Sequence, residues 1–196
     1  ITTALLTGLG LGHSPAQLVT EMKQSAAENG LAQALTTART EFNRAHREAM
    51  AAQYERTKAV AGFRRMVEKS GACFACLMLD GEWLEKASDL TDHPNGRCVA
   101  VPFRSKDDPI PWQLGHDWFM EQAPEKQQKI LGKGRYEAWK DGDIQNLRDI
   151  VYIKPNEEWG GSPTVRTLSD LGLPTADERD MYQRYSESMG KYLNRS

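Results

Sequence analysis

The chain has 196 residues, a formal net charge of −2 at pH 7 and a mean hydropathy of −0.63. That length supports one good core or two small lobes, and no apolar run approaches the length of a membrane span. The small net charge excludes a chain that attracts polyanions over its whole surface.

The N-terminal part of the chain is dominated by good helix formers. A first helix is expected over residues 15–28, with Ser14 as its N-cap. A longer helix is expected from Leu31 onward, broken near residues 59–62 and followed by a strand or a last helical turn. Small and apolar residues recur along the longer helix at three- and four-residue spacing, on one predicted face: Leu35, Ala38, Phe42, Ala45 and Ala49.

Basic residues are concentrated between residues 31 and 70, where eight of them meet four glutamates. Because the glutamates interrupt the basic run, the pattern is typical of a solvated face with ion pairs such as Arg44–Glu48. A basic face turned toward nucleic acid is the alternative.

All three cysteines lie between residues 70 and 102, together with one histidine. Cys73 and Cys76 form a C-x-x-C pair, and His93 precedes Cys98 across the turn signal Pro94-Asn95-Gly96. Three thiols and one imidazole in two close pairs are typical of a closed structural zinc site. The predicted ligands are Cys73, Cys76, His93 and Cys98.

These residues allow three other interpretations. A redox dithiol or a disulfide accounts for the C-x-x-C pair but not for the pairing with His93 and Cys98. The order His46-Arg47-Glu48 followed by Cys73 and Cys76 resembles the signature of zinc deaminases, in which a glutamate moves protons for a zinc-bound water. This signature lacks its proline before Cys73, and His46 lies inside a helical pattern.

Two local signals lie within the cysteine segment. Asp80-Gly81 is a hairpin-type turn signal, and residues 99–103 are predicted to form a short strand.

Beyond residue 104 the sequence predicts short helices over residues 124–131, 135–140 and 144–151, a loop over 156–163 and a polar terminal helix over 175–195. One face of the terminal helix carries Met181, Tyr185, Met189 and Tyr192, which favours either the protein's own core or a partner surface.

The expected fold class is therefore α+β, predominantly α-helical, with a small β-rich lobe held by zinc. The expected division is an N-terminal helical region over residues 1–70, the zinc lobe over 71–103, and a C-terminal region of short helices and a terminal arm over 104–196. The lobe is expected to pack with residues 31–70 as one domain.

Several motifs together resemble one protein family. Residues 38–45 read ARTEFNRA, and they are followed by the C-x-x-C pair, by Leu79-Asp80-Gly81 and by the run His93-Pro94-Asn95-Gly96-Arg97-Cys98. This order resembles the phage Mu F-like minor head proteins, also called phage head morphogenesis proteins, over residues 31–151. The family usually has cysteine at the position of Gly96, which puts the transfer of its ligand set in doubt and leaves Cys98 to take that place.

The resemblance implies a structural virion protein without catalysis. It implies few copies per virion, a place in the head interior or near the portal, portal and capsid proteins as partners, assembly in the host cytoplasm, and a role in head morphogenesis, DNA packaging or DNA delivery. Arg39 and Glu41 in the first motif and Arg97 in the last are the expected structural or interaction residues. A DNA-binding module with non-specific DNA contacts and a deaminase-like enzyme using His46 and Glu48 are the alternatives.

Overall fold

The computed structural model of the protein describes a large central part of the chain and a few residues outside it, namely 11–14, 16–17, 31–54, 56–57, 59–156, 160–175, 177–178, 180–181 and 184. Most of the helix predicted over residues 15–28 and most of the predicted terminal helix lie outside these residues. Within the described part, no helix is both long and apolar enough to cross a membrane.

Helices and strands are interspersed along the described chain. The α-helices are α1 (Leu31–Tyr54), α2 (Phe74–Leu79), α3 (Gly115–Met120), α4 (Pro124–Leu131) and α5 (Lys133–Lys140). The strands are β1 (Gly62–Met66), β2 (Trp83–Leu84), β3 (Val99–Phe103), β4 (Val151–Asn156) and β5 (Gly160–Val165). Two 3₁₀ turns cover Ala87–Asp89 and Ser169–Leu171.

The strands form two small antiparallel sheets. In the first, β1 lies between β2 and β3, so that Arg64 faces Trp83 on one side and Val101 on the other. In the second, β4 and β5 form a hairpin in which Val151 faces Val165. β1 therefore joins the chain before the cysteine pair to the two strands that follow it.

The predicted predominance of α-helix is wrong, because the fold is a mixture of α-helices and two antiparallel sheets. No helix forms over residues 144–151. There the Asn146 side chain accepts the N–H of Arg148 at 3.0 Å, which is a local alternative to the helical bond. The chain then continues into β4, whose partner β5 occupies the second half of the segment predicted as a loop.

The composition of the second hairpin explains why the loop prediction failed. Residues 160–163 read Gly-Gly-Ser-Pro, which is a turn-like sequence. Pro163 nevertheless lies opposite Ile153, and Pro155 lies opposite Gly161. A two-stranded sheet has only edge strands, and an edge strand accommodates a proline whose missing N–H would face away from the partner.

The segment predicted as a β-rich lobe also differs from expectation. All residues of α2 are buried, and Asp80-Gly81 ends this helix instead of forming a hairpin turn. Asp80 joins several elements, since one carboxylate oxygen accepts the Val67 N–H at 3.1 Å and the Trp112 indole N–H at 3.2 Å. The other oxygen lies 3.2 Å from the Lys69 ammonium.

One cluster of buried apolar side chains extends from α1 to β4. The Phe74 ring meets Phe119 edge-on at a centroid distance of 5.3 Å, and Phe119 lies 6.0 Å from Trp139. Leu131 and Ala138 are completely buried beside them. The helix predicted over residues 124–131 is confirmed with Gly132 beyond its end, and helices α3–α5 share their core with the segment that carries the cysteines.

Candidate metal centre

The cysteine pair lies at the start of helix α2. Gly71 has a φ of +86°, which turns the chain sharply before the helix begins. Cys73 is the N-cap of α2, and its sulfur accepts the backbone N–H of Cys76 at 3.4 Å. This helix start brings the two thiols to the same side, as a shared metal ion requires.

The remaining donors lie on the loop that leads to strand β3, here called the metal loop (residues 91–98). The N–H of Gly96 donates to the carbonyl of His93 at 2.9 Å, and Asn95 between them has a φ of +67°. The predicted turn at residues 94–96 is therefore confirmed. It reverses the chain so that His93 and Cys98 both face the cysteine pair.

The structure brings the four predicted ligands together and adds a fifth donor. Cys73, Cys76 and His93 form one group in which the ligand atoms lie within 4.8 Å of one another. Cys76, Cys98 and Asp92 form a second group by the same measure. Cys76 belongs to both groups, so the five side chains form one cluster that is compatible with a metal ion. Asp92 was not among the predicted ligands.

The two groups differ in burial. Cys76, Asp92 and Cys98 are all buried, whereas Cys73 and His93 are partly exposed. The His93 ring has its Nδ1 atom 3.0 Å from the Pro94 carbonyl. An Nδ1–H donated to that carbonyl leaves Nε2 as the nitrogen with a free lone pair, which is the usual arrangement behind a metal-binding histidine.

Without a metal the donors share protons among themselves. A hydrogen bond from the Cys76 thiol, aided by His93, lowers the pKa of Cys73 to about 4. The same bond raises the pKa of Cys76 above its ordinary value. A hydrogen bond with Cys73 raises the pKa of His93 to about 9. At neutral pH the metal-free cluster therefore holds a Cys73 thiolate beside a His93 imidazolium, with Cys76 protonated.

The buried side of the cluster is lined by a buried arginine. Arg65 is completely buried and donates to the Thr91 carbonyl at 2.8 Å, to the Thr91 hydroxyl at 3.0 Å and to Glu82 at 3.2 Å. A hydrogen bond from Cys76 and the Arg65 guanidinium both lower the pKa of the Cys98 thiol, against the opposing effects of burial and of Asp92. Arg65 thus fixes the start of the metal loop and favours a thiolate at Cys98.

Helix α1 holds the metal loop through a stripe of polar residues at four-residue spacing. Arg39 donates to the side-chain oxygen of Asn95, and the Asn43 amide donates to the Gly96 carbonyl at 2.7 Å. Arg47 donates to Asp92 Oδ2 at 2.7 Å. Residues spaced by four lie on one helix face, so the spacing of these three polar residues was the signal that sequence reasoning missed.

The predicted apolar stripe of α1 is less buried than its spacing suggested. Ala38 is completely buried, but Leu35 is 38% exposed and Ala49 is exposed. The buried Thr40 hydroxyl instead accepts the N–H of Asn95 at 2.8 Å. The polar face of α1, and not its apolar stripe, therefore faces the metal loop.

Arg39, Glu41 and Arg97 have different environments. Arg39 contacts the metal loop, as expected for a residue that holds the helix to this segment. Glu41 is half-buried and forms no ion pair with Arg39 among the described contacts. Arg97 is exposed and lines a cleft of about 340 Å³ together with Arg39, Asn43, His46 and Arg47.

His46 lies outside both donor groups of the described chain. It is exposed on helix α1, whereas each donor group consists of cysteines together with His93 or Asp92. The deaminase-like interpretation requires His46 on the metal and Glu48 beside a bound water. The geometry therefore gives that interpretation no support.

Comparisons with known proteins found no matching family model, no matching curated protein and no matching solved structure.

Proposed function

We propose that the cluster binds one structural zinc ion through Cys73, Cys76, His93 and Cys98, and that the ion fastens the metal loop to the start of helix α2. Three thiolates and an imidazole are a ligand set typical of structural zinc. The observation that carries the proposal is the convergence of donors from two segments, one at the start of α2 and one on the metal loop.

Metal analysis of the intact protein, purified under reducing conditions, tests the zinc assignment. We expect about one zinc per chain and its loss in a Cys76→Ser variant, because Cys76 belongs to both donor groups. A matched control is Ser88→Ala, which alters a side chain outside both groups. Protein that contains no metal and takes up none from a zinc buffer would refute the assignment.

We further propose that the chain is a structural minor head protein of a tailed phage, present in few copies in the head interior or near the portal, with portal and capsid proteins as partners. The proposal comes from the sequence motifs, and a geometric relation among them supports it. Arg39 and Asn43 of the first motif donate hydrogen bonds to Asn95 and Gly96 of the last, so segments far apart in the sequence form one unit.

Mass spectrometry of purified phage particles tests this function. We expect the chain in gradient-purified heads, in far fewer copies than the major capsid protein. Co-expression with the portal protein of the same phage is expected to give a complex that survives size-exclusion chromatography. Absence from heads, together with no portal complex, would contradict the proposal.

A non-specific DNA contact is a second candidate, and the cleft beside helix α1 favours it. Its lining contains three arginines and one histidine and, within the described part of the chain, no acidic side chain. Such a surface attracts phosphodiester groups with an affinity that falls as the salt concentration rises. We expect Arg97→Ala to weaken DNA association and to reduce its salt dependence. The control variant Arg56→Ala is expected to change neither. A gel shift in which the wild-type protein shows no salt-sensitive DNA binding would remove this candidate.

A further inference from the structure

We propose that Asp92 is a metal ligand held in reserve, able to take the fourth coordination position beside the three cysteines when His93 leaves it. This inference rests on the proposed zinc site and adds a carboxylate to its ligand set. It concerns a residue that neither the cysteine spacing nor the C-x-x-C motif indicates.

The first support is the position of the carboxylate. The Asp92 side chain is 3% exposed, and one of its oxygens lies within 4.8 Å of the sulfur atoms of Cys76 and Cys98. The Arg47 guanidinium balances the charge of this carboxylate, but two further negative charges converge beside it once Cys76 and Cys98 are thiolates. A divalent ion bound to both sulfurs balances those charges within reach of the carboxylate.

The second support is the space that Gly96 leaves. A Cβ atom at residue 96 would fall 1.9 Å from Asp92 Oδ1 and 2.2 Å from its Cγ. No side chain at this position can coexist with the observed carboxylate. The absence of a side chain at Gly96 therefore allows Asp92 to reach the thiols of Cys76 and Cys98.

The third support is the way the carboxylate is held. Arg47 donates to Oδ2 at 2.7 Å, and the backbone N–H of His93 donates to Oδ1 at 2.9 Å. Each oxygen of a carboxylate has a second lone pair, so both hydrogen bonds leave it able to bind a metal. Donors that orient a carboxylate in this way are typical of the residues surrounding a metal site.

The exposure of His93 makes an exchange between the two donors geometrically reasonable. His93 is partly exposed at the outer side of the cluster, next to the exposed Pro94, whereas Asp92 lies at its buried side. The two residues are adjacent in the chain, so loss of the imidazole leaves the metal loop anchored by Cys98 and by the Arg47–Asp92 ion pair. Carboxylate oxygen and imidazole nitrogen are both accepted by zinc.

A double-mutant cycle on the intact protein, read by Co²⁺ titration, tests the inference. We expect His93→Ala to retain one Co²⁺ per chain with a shifted visible absorption maximum. We expect Asp92→Asn alone to weaken binding by less than about tenfold. The double variant is expected to bind at least about a hundredfold more weakly than the product of the two single effects predicts, because each donor replaces the other only while one remains.

Two further variants protect the test against misfolding. Gly96→Ala in the His93→Ala background is expected to reproduce the double variant, since its Cβ displaces the carboxylate. Arg47→Gln in the same background removes the ion pair but keeps the carboxylate, and Co²⁺ binding is expected to weaken by about tenfold to a hundredfold, less than in the double variant. Far-UV circular dichroism of each variant reports whether it folds.

The outcomes separate this inference from the zinc site itself. Wild-type protein that takes up no Co²⁺ refutes the zinc site and the inference together. Wild-type protein that binds Co²⁺, with single effects that simply multiply in the double variant, refutes the reserve role of Asp92 alone. Loss of all binding in His93→Ala refutes it as well.

Discussion

The metal loop and the helical core formed by α3, α4 and α5 are stabilised in different ways. The metal loop is held by directional polar bonds from Arg39, Asn43 and Arg47, and by a cluster of metal donors. The helical core is held by apolar contacts around Phe119, which is completely buried between Phe74 and Trp139. The first arrangement depends on charge and protonation, whereas the second depends on buried area.

The stability of the two regions is therefore expected to respond differently to pH and to metal concentration. Apolar packing changes little with pH or with metal concentration. Thiolate and imidazole donors must lose protons before they bind a metal, so the metal loop responds to both. We expect conditions that loosen the metal loop to leave the helical core intact.

Removal of the metal is expected to have the largest effect, and to act on the metal loop alone. Chelation is expected to cost the metal loop about 4–6 kcal/mol of stabilisation at saturating zinc, while the helical core stays folded. Hydrogen exchange followed by mass spectrometry checks this, with faster exchange expected in residues 91–103 and unchanged exchange in residues 115–140. Equal acceleration in both regions would show that they form one cooperative unit.

Truncation of Phe119 tests the apolar packing of the helical core. Phe119→Ala is expected to destabilise the fold by about 3–5 kcal/mol, because it removes two aromatic contacts and leaves a cavity. Denaturant unfolding measures the loss, and the zinc content of the folded fraction is expected to remain near one per chain. Met120→Ala is the matched control, since Met120 is 45% exposed, and its effect should stay within about 0.5 kcal/mol. A similar loss in both variants would argue against the packing described for this core.

The zinc affinity of the metal loop is expected to depend on pH. The pKa of Cys76 is raised and that of His93 is raised to about 9, so both hold protons at neutral pH that a bound metal displaces. Each displaced proton weakens binding about tenfold per unit of falling pH. Because two protons are displaced, we expect about a hundredfold loss per unit between pH 8 and pH 6, measured by chelator competition. The Cys73 thiol does not contribute to the pH dependence between pH 8 and pH 6, because its pKa is about 4.

His93→Ala is the informative variant in that experiment. Its slope should fall to about tenfold per unit, since only the Cys76 proton is then displaced. A zinc affinity that does not vary between pH 8 and pH 6 would contradict the proton distribution described for the metal-free cluster.

The smallest expected effect concerns the attachment of helix α1. Arg39→Ala is expected to cost about 1 kcal/mol by removing its hydrogen bond to Asn95. Arg56→Ala should change stability by less than about 0.5 kcal/mol, because Arg56 is exposed. Denaturant midpoints of the two variants provide the measurement, and equal midpoints would remove Arg39 from the set of residues that fasten the metal loop.

Sequence reasoning found four of the donors that the structure brings together but not their full environment. Cys73, Cys76, His93 and Cys98 were predicted from spacing alone, because paired thiols and a turn signal are local features. Asp92 was missed, since a carboxylate beside a histidine has no distinctive spacing. Its proximity to Cys76 and Cys98 depends on Gly96 and Arg47, which tertiary structure alone brings into contact with it.

The same contrast holds for the fold, in which features with local sequence signals were predicted and features that depend on distant partners were missed. Pro124 and Gly132 mark the ends of helix α4 correctly, because helix ends have local chemical signals. The hairpin of β4 and β5 was missed, since its glycine and proline residues favour turns and only pairing between the strands overrides that preference. The buried helix α2 was missed because a short apolar run does not distinguish a helix from a strand.

The separation in sequence between the partners of the metal loop has a consequence for the order of folding. The contact between Arg65 and Thr91 spans 26 residues, and that between Arg39 and Asn95 spans 56. Closing a longer loop costs more chain entropy. On a ribosome, the donors at residues 73–98 emerge after helix α1 is complete, so the ion can be captured as soon as Cys98 is released. We expect the metal to bind first and α1 to dock afterwards onto a loop whose shape the ion has already set.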